Sequence, residues 1–145
     1  MALVTRNHPK LTLEGAKAVL AAAERRATEI GVPMNIAVVD DGGHLLAFSR
    51  MDGAKLSSVR IAIVKAHSSA IRRKPSGPSM GSDGKPDTLL SVALAVGSGA
   101  KQTPIRGGLP LLVDGEIVGA IGASNGTEDE DTDVSRAGAA ALEKA

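Results

Sequence analysis

Three imidazoles carry most of the coordination chemistry open to this chain. His8, His44 and His67 are its only histidines, and cysteine and tyrosine are absent. They are therefore its only strong neutral side-chain ligands for haem iron or another transition metal. No two of them stand three or four residues apart, which argues against a protein-only zinc site. His44 falls in or beside a turn and reads as a solvated surface residue, whereas His67 falls in a helical run where it either faces a pocket or completes a helix face.

Charged residues offer a second set of candidates. Lys65 interrupts the apolar stretch IAIVKAH, so it either snorkels to solvent or sits in a cleft as a cation or a base. Arg50, Met51 and Asp52 end an apolar strand pattern. Arg50 there can hold a carboxylate through its bidentate fork, or it can pair with Asp52 to fix the turn, with Met51 as core filler. Arg106 precedes Gly107 and Gly108, whose amides can approach an anion, the alternative being a bulge at a sheet edge. Ser124 has no recognisable histidine–acid pair, so a hydrolase triad is a poor reading. The acidic run Glu128 to Asp133 lacks the glycine and spaced oxygen ligands of a calcium loop.

Positioning these residues falls to an alternation of helices and hairpins. Thr12 is a fitting N-cap for a helix whose apolar positions run from Leu13 to Ile30, closed by Gly31 and Pro33. Met34 to Val39 and Leu45 to Arg50 alternate as strands around Asp40-Asp41-Gly42-Gly43. Both faces of this hairpin are largely apolar, which predicts a central hairpin covered on both sides. Ala54 to Lys74 is helical again and stops at Pro75. Ser76 to Pro86 reads as a flexible loop, and Asp87 or Thr88 caps a short helix through Val96. Leu109 to Val113 and Glu116 to Ile121 form a second hairpin around Asp114-Gly115. The run Thr127 to Asp133 is acidic, and its end, at Asp133, can serve as N-cap and favourable dipole charge for a last helix, Val134 to Lys144.

Composition bounds the rest. The chain has 145 residues, enough for one domain with one core, and shows no linker that would split it. Residues 1–10 read as a mobile or edge segment. Phe48 is the only aromatic residue, so the core must be built from Ala, Val, Leu and Ile, and the small area each contributes points to a homo-oligomer. A net charge of +1 and the missing aromatic platform argue against nucleic acid as a partner. No apolar run approaches the roughly 20 residues of a membrane span, and no signal-peptide core is apparent, so a cytoplasmic protein without membrane contact is expected.

The combination IAVVDDGGHLLAFSRMDGA, then KAHSSA, then Gly107-Gly108 before LPLLVDGEIVGAIGASNGTEDEDTDVSRAG resembles the GlcG/HbpS family, seen also at the C-terminus of PduO-type proteins. The resemblance runs from about Leu11 to Leu142. It implies an α+β, profilin-like domain, an antiparallel sheet of about five strands flanked by helices, assembling into homo-oligomers. It further implies a small-molecule ligand, haem or another tetrapyrrole, whose breakdown the protein assists, or an accessory role in glycolate or cobalamin catabolism. On that view His8, just before the first helix, is a candidate haem-iron ligand, and Arg50, His67, Arg106, Gly107 and Gly108 line the ligand cleft. The alternative is a metal-free tautomerase, hydratase or lyase in which Lys65 and Asp52 are catalytic. Both readings draw their main physical support from the expectation that the Arg50-Met51-Asp52 corner points towards the helix bearing Lys65 and His67.

Overall fold

In the computed structural model, which describes residues 1–143, helix α1 (Leu13–Ile30) starts where Thr12 accepts the Gly15 N–H at 3.0 Å. It ends on the left-handed Gly31. Its buried positions Ala16, Val19, Ala23 and Ala27 recur every three or four residues, and this narrow stripe of small side chains lays it on the sheet.

The sheet is antiparallel, in the order β2 (Leu45–Arg50), β1 (Asn35–Asp40), β4 (Glu116–Ser124), β3 (Gly108–Val113). It has four strands rather than about five, because the segments flanking these hairpins lack an alternating apolar pattern. The expected central hairpin is half met. β1 is interior and buried, while β2 is the edge strand and remains partly exposed.

Alternation along β1 divides the core. Ile36 and Val38 pack with α1 and with Val134 of α4 (Glu128–Ala139), while Ala37 and Val39 face Ala62, Ala66 and Ala70 of α2 (Val59–Arg72). The sheet is therefore covered by α1 and α4 on one face and by α2 on the other. Gly108 and Gly122 let α2 come close, since a Cβ at either would strike the carbonyl oxygen of Lys65 or Ala62.

The last helix starts earlier than expected. Thr127, not Asp133, is its N-cap, and four acidic residues of the run form its first turn, where the helix dipole favours them. A 3-10 turn, Ala140–Leu142, follows, and Lys144 lies outside the described residues. The segment Ser76 to Pro86 is a tied loop: the Gly81 N–H donates to the Lys85 carbonyl at 2.8 Å and Met80 pairs with Pro86. Helix α3 (Thr88–Gly97) is capped by Asp87 and buries only Ser91. Among the described residues, no helix is long and apolar enough to cross a membrane.

Candidate functional site

A cavity of about 400 Å³ opens between α2 and α3. Arg60, Val64 and His67 stand four and three residues apart on α2, so they share the helix face turned away from the Ala62–Ala66–Ala70 stripe. Ile63 from α2 and Ala95 from α3 extend the apolar lining. Beyond α3 the chain reverses through Gly99 and Ala100, both left-handed, and the Ala100 N–H closes back on the Ala95 carbonyl at 2.8 Å. The Thr103 N–H then donates to the Ser68 hydroxyl at 3.1 Å, which pins this wall of the cavity to α2. Arg60 and Lys101 are exposed at its margin and, among the described residues, join no ion pair.

His67 is half-buried, and its Nδ1 lies 2.9 Å from the Gly43 carbonyl oxygen in the β1–β2 turn. A carbonyl can only accept, so Nδ1 carries a proton, and the tautomer this contact selects for the neutral ring has its lone pair on Nε2. Asn35 Oδ1 is the one buried side-chain polar atom without a partner among the described residues. Nε2, which also has no partner there, is therefore solvent-accessible. An imidazole with a free Nε2, an apolar wall and two unpaired cations at the margin are the donors that an iron tetrapyrrole with carboxylate side chains needs. The residues present fit such a group.

Residues 11–140 match the family model described as haem degrading protein HbpS-like. The chain belongs to this family. Protein GlcG of Escherichia coli strain K12 is 38% identical over 116 residues, covering 79% of this chain and 81% of GlcG. The crystal structure of Klebsiella pneumoniae ORFY superposes with a TM-score of 0.86 at 28% identity, over 100% of this chain and 99% of that one. A PduOC:haem complex superposes with a TM-score of 0.77 at 24% identity, over 92% and 96% of the two chains, and shares the fold.

The expected convergence does not occur in this HbpS-like chain. Arg50 and Asp52 line an open polar hollow with Glu24 and Thr28 of α1, the helix on the face of the sheet opposite α2. They form no ion pair with each other among the described residues, so the structural alternative is not met either. Met51 is the core filler expected, packing on the α1 side with its sulfur 3.4 Å from the Met34 N–H.

Lys65 does not snorkel. Its side chain is 1% exposed, and Nζ donates to Asp131 Oδ2 at 2.6 Å and to the Ala123 carbonyl at 3.0 Å. Asp131, 4% exposed in the first turn of α4, also accepts the Gly126 N–H at 2.9 Å. Burial raises the Asp131 carboxyl above its ordinary value, and the hydrogen bond and charge of Lys65 act against that rise. The pair is a strut between α2 and α4. Asp52 is exposed beside α1 while the Lys65 ammonium is buried against Asp131, which removes the geometric basis for metal-free catalysis by those two residues.

Gly107 and Gly108 are likewise committed. The Gly107 carbonyl accepts from the Ser135 hydroxyl at 2.6 Å, and the Gly108 N–H donates to the Ser76 hydroxyl at 2.8 Å beneath α2. Arg106 is exposed, with Nε 3.1 Å from Glu128 and Nη1 2.9 Å from Asp129, so it serves the first turn of α4. His8 bridges the two hairpin turns: Nδ1 is 2.7 Å from Glu116 and Nε2 is 3.4 Å from Asp41. Both of its nitrogens face carboxylates, so an iron would have to displace one of them. Of the residues singled out in the sequence, His67 alone stands in the α2–α3 cavity. Arg60 and Lys101 were missed. Arg60 carries a signal, since it lies seven residues before His67 on one helix face, but Lys101 carries none.

Proposed function

We propose that this HbpS-like protein binds haem, or a closely related iron tetrapyrrole, in the α2–α3 cleft. The observation that carries this reading is His67, which presents a solvent-accessible Nε2 lone pair beside an apolar cavity of about 400 Å³. His67 would hold the iron, Ile63, Val64 and Ala95 would exclude water from the ring, and Arg60 and Lys101 would take the carboxylate side chains. Bound there, the group would supply an iron centre with redox chemistry that the chain itself lacks. The family description and the haem complex of a protein with the same fold support the choice of ligand. The family description also extends the reading to assistance in haem breakdown.

Titration of the purified protein with haemin tests it. A shifted Soret band that saturates at micromolar haemin is expected, and it is lost in His67→Ala but kept in His8→Ala. Absence of any shift in the parent protein, or a wild-type spectrum in His67→Ala, overturns the assignment. Incubating the complex with a reductant in air and following the Soret band over time reads the breakdown activity.

A further inference from the structure

The β1–β2 turn is built against the His67 ring more tightly than a turn needs to be. Gly43 adopts φ +85°, and a Cβ built there would lie 2.5 Å from His67 Nδ1, 2.7 Å from Cε1 and 3.1 Å from Cγ. Position 43 is thus doubly restricted to glycine, by its backbone angle and by the imidazole pressed against it. The turn is also braced from within. Asp40 Oδ1 accepts the N–H groups of Gly42 and His44, each at 2.9 Å, and the Gly43 N–H donates to the Asp40 carbonyl at 3.0 Å. These bonds fix where the Gly43 carbonyl oxygen points, and that oxygen is the partner of His67 Nδ1 at 2.9 Å.

We infer that Gly43 is a positioning residue, which presets His67 as an Nδ1-protonated imidazole with Nε2 bare before any ligand arrives. The inference rests on the proposed function for the identity of the ligand, but the preset tautomer is a property of the free protein. A backbone carbonyl on the far nitrogen fixes ring orientation and raises the basicity of the coordinating one, and an imidazole already held in place loses less freedom on binding. Bulk at position 43 pushes the ring away and frees Nδ1. Loosening the turn at Asp40 has the same effect by a different route, without adding bulk near the ring.

The test begins with ligand-free protein carrying ¹⁵N-labelled histidine. Long-range ¹H–¹⁵N spectra at a pH where the ring is neutral are expected to show His67 Nδ1 protonated and Nε2 unprotonated. In Gly43→Ala the pattern shifts towards a tautomer mixture, and haemin affinity falls by about 10- to 100-fold. Asp40→Ala serves if Gly43→Ala does not fold, and it is expected to move the tautomer in the same direction. A parent protein whose His67 is protonated on Nε2, or variants that keep both the parent tautomer and the parent affinity, overturn the inference. If the parent shows the preset tautomer and the variants lose it, yet haemin does not bind the parent, the positioning role stands and the choice of ligand falls.

Discussion

Lys65 on α2 and Asp131 on α4 meet at 2.6 Å inside the fold, 66 residues apart in sequence, each almost inaccessible to solvent. The contact joins the helix on one face of the sheet to a helix on the other, past the close approach of Gly107. Removing one partner leaves the other as an uncompensated buried charge. Lys65→Met or Asp131→Asn is therefore expected to lower stability by about 3–5 kcal/mol, read as a lower urea midpoint. The double variant should lose less than the sum of the single losses, because it leaves no orphaned charge. Strict additivity would show that the two residues do not act as a pair.

The same pair gives a pH dependence of defined sign. Burial holds the Asp131 carboxyl above its ordinary value of 3.8, so between the unfolded and folded values the native state keeps a proton that the unfolded chain has released. The contribution of this group to stability is complete below the unfolded value and is lost as pH rises through the folded one. Unfolding free energies of the parent minus those of Asp131→Asn should fall as pH climbs from the ordinary carboxylate range, and level off above the raised value. A difference that grows with pH would mean that Lys65 outweighs burial.

Arg60 and Lys101 make a prediction about haemin rather than about folding. Both are exposed, so a haem carboxylate held by either would be under strong solvent screening, and Arg60→Gln or Lys101→Gln should weaken haemin binding by about two- to fivefold. The losses should shrink as salt is raised, and the dimethyl ester of the ligand should bind parent and variants alike. Equal binding of free acid and ester by the parent protein would remove the carboxylates from the recognition.

The parts of the fold readable in sequence were those decided locally. Thr12 and Gly31 bound α1, and Asp114-Gly115 makes the second hairpin turn with φ +50° and +79°, because each acts through its own backbone neighbours. The acidic run misled, since Glu128 to Asp131 look like loop residues until Thr127 is seen to cap them into a helical turn. Period-two alternation revealed that β1 is two-faced, but it carries no information on which helix covers which face. For that reason Arg50 and Asp52 were expected beside Lys65 and instead lie with α1. Lys65 stood out as a charge in an apolar helix, yet its meaning depends on Asp131, which no local pattern selects. His67 was legible because imidazoles are scarce here, whereas its partner is a main-chain oxygen whose direction only the folded turn sets.

Helix α3 poses the remaining question, because ten residues without a charge leave Leu89, Val92 and Val96 well exposed. These three lie at spacings of three and four and form one apolar face. A core made from small side chains, with a single phenylalanine, adds to the case for burying that face against another copy. Light scattering after size exclusion is expected to report a homo-oligomer for the parent protein. Each of these side chains contributes about 1.5–3 kcal/mol when taken from water, so Leu89→Glu with Val96→Glu should shift the population to a smaller species. Both substitutions fall outside the cavity lining, so the Soret response to haemin should persist in the smaller species. A parent protein that is monomeric at high micromolar concentration would show that this face is not an interface between copies.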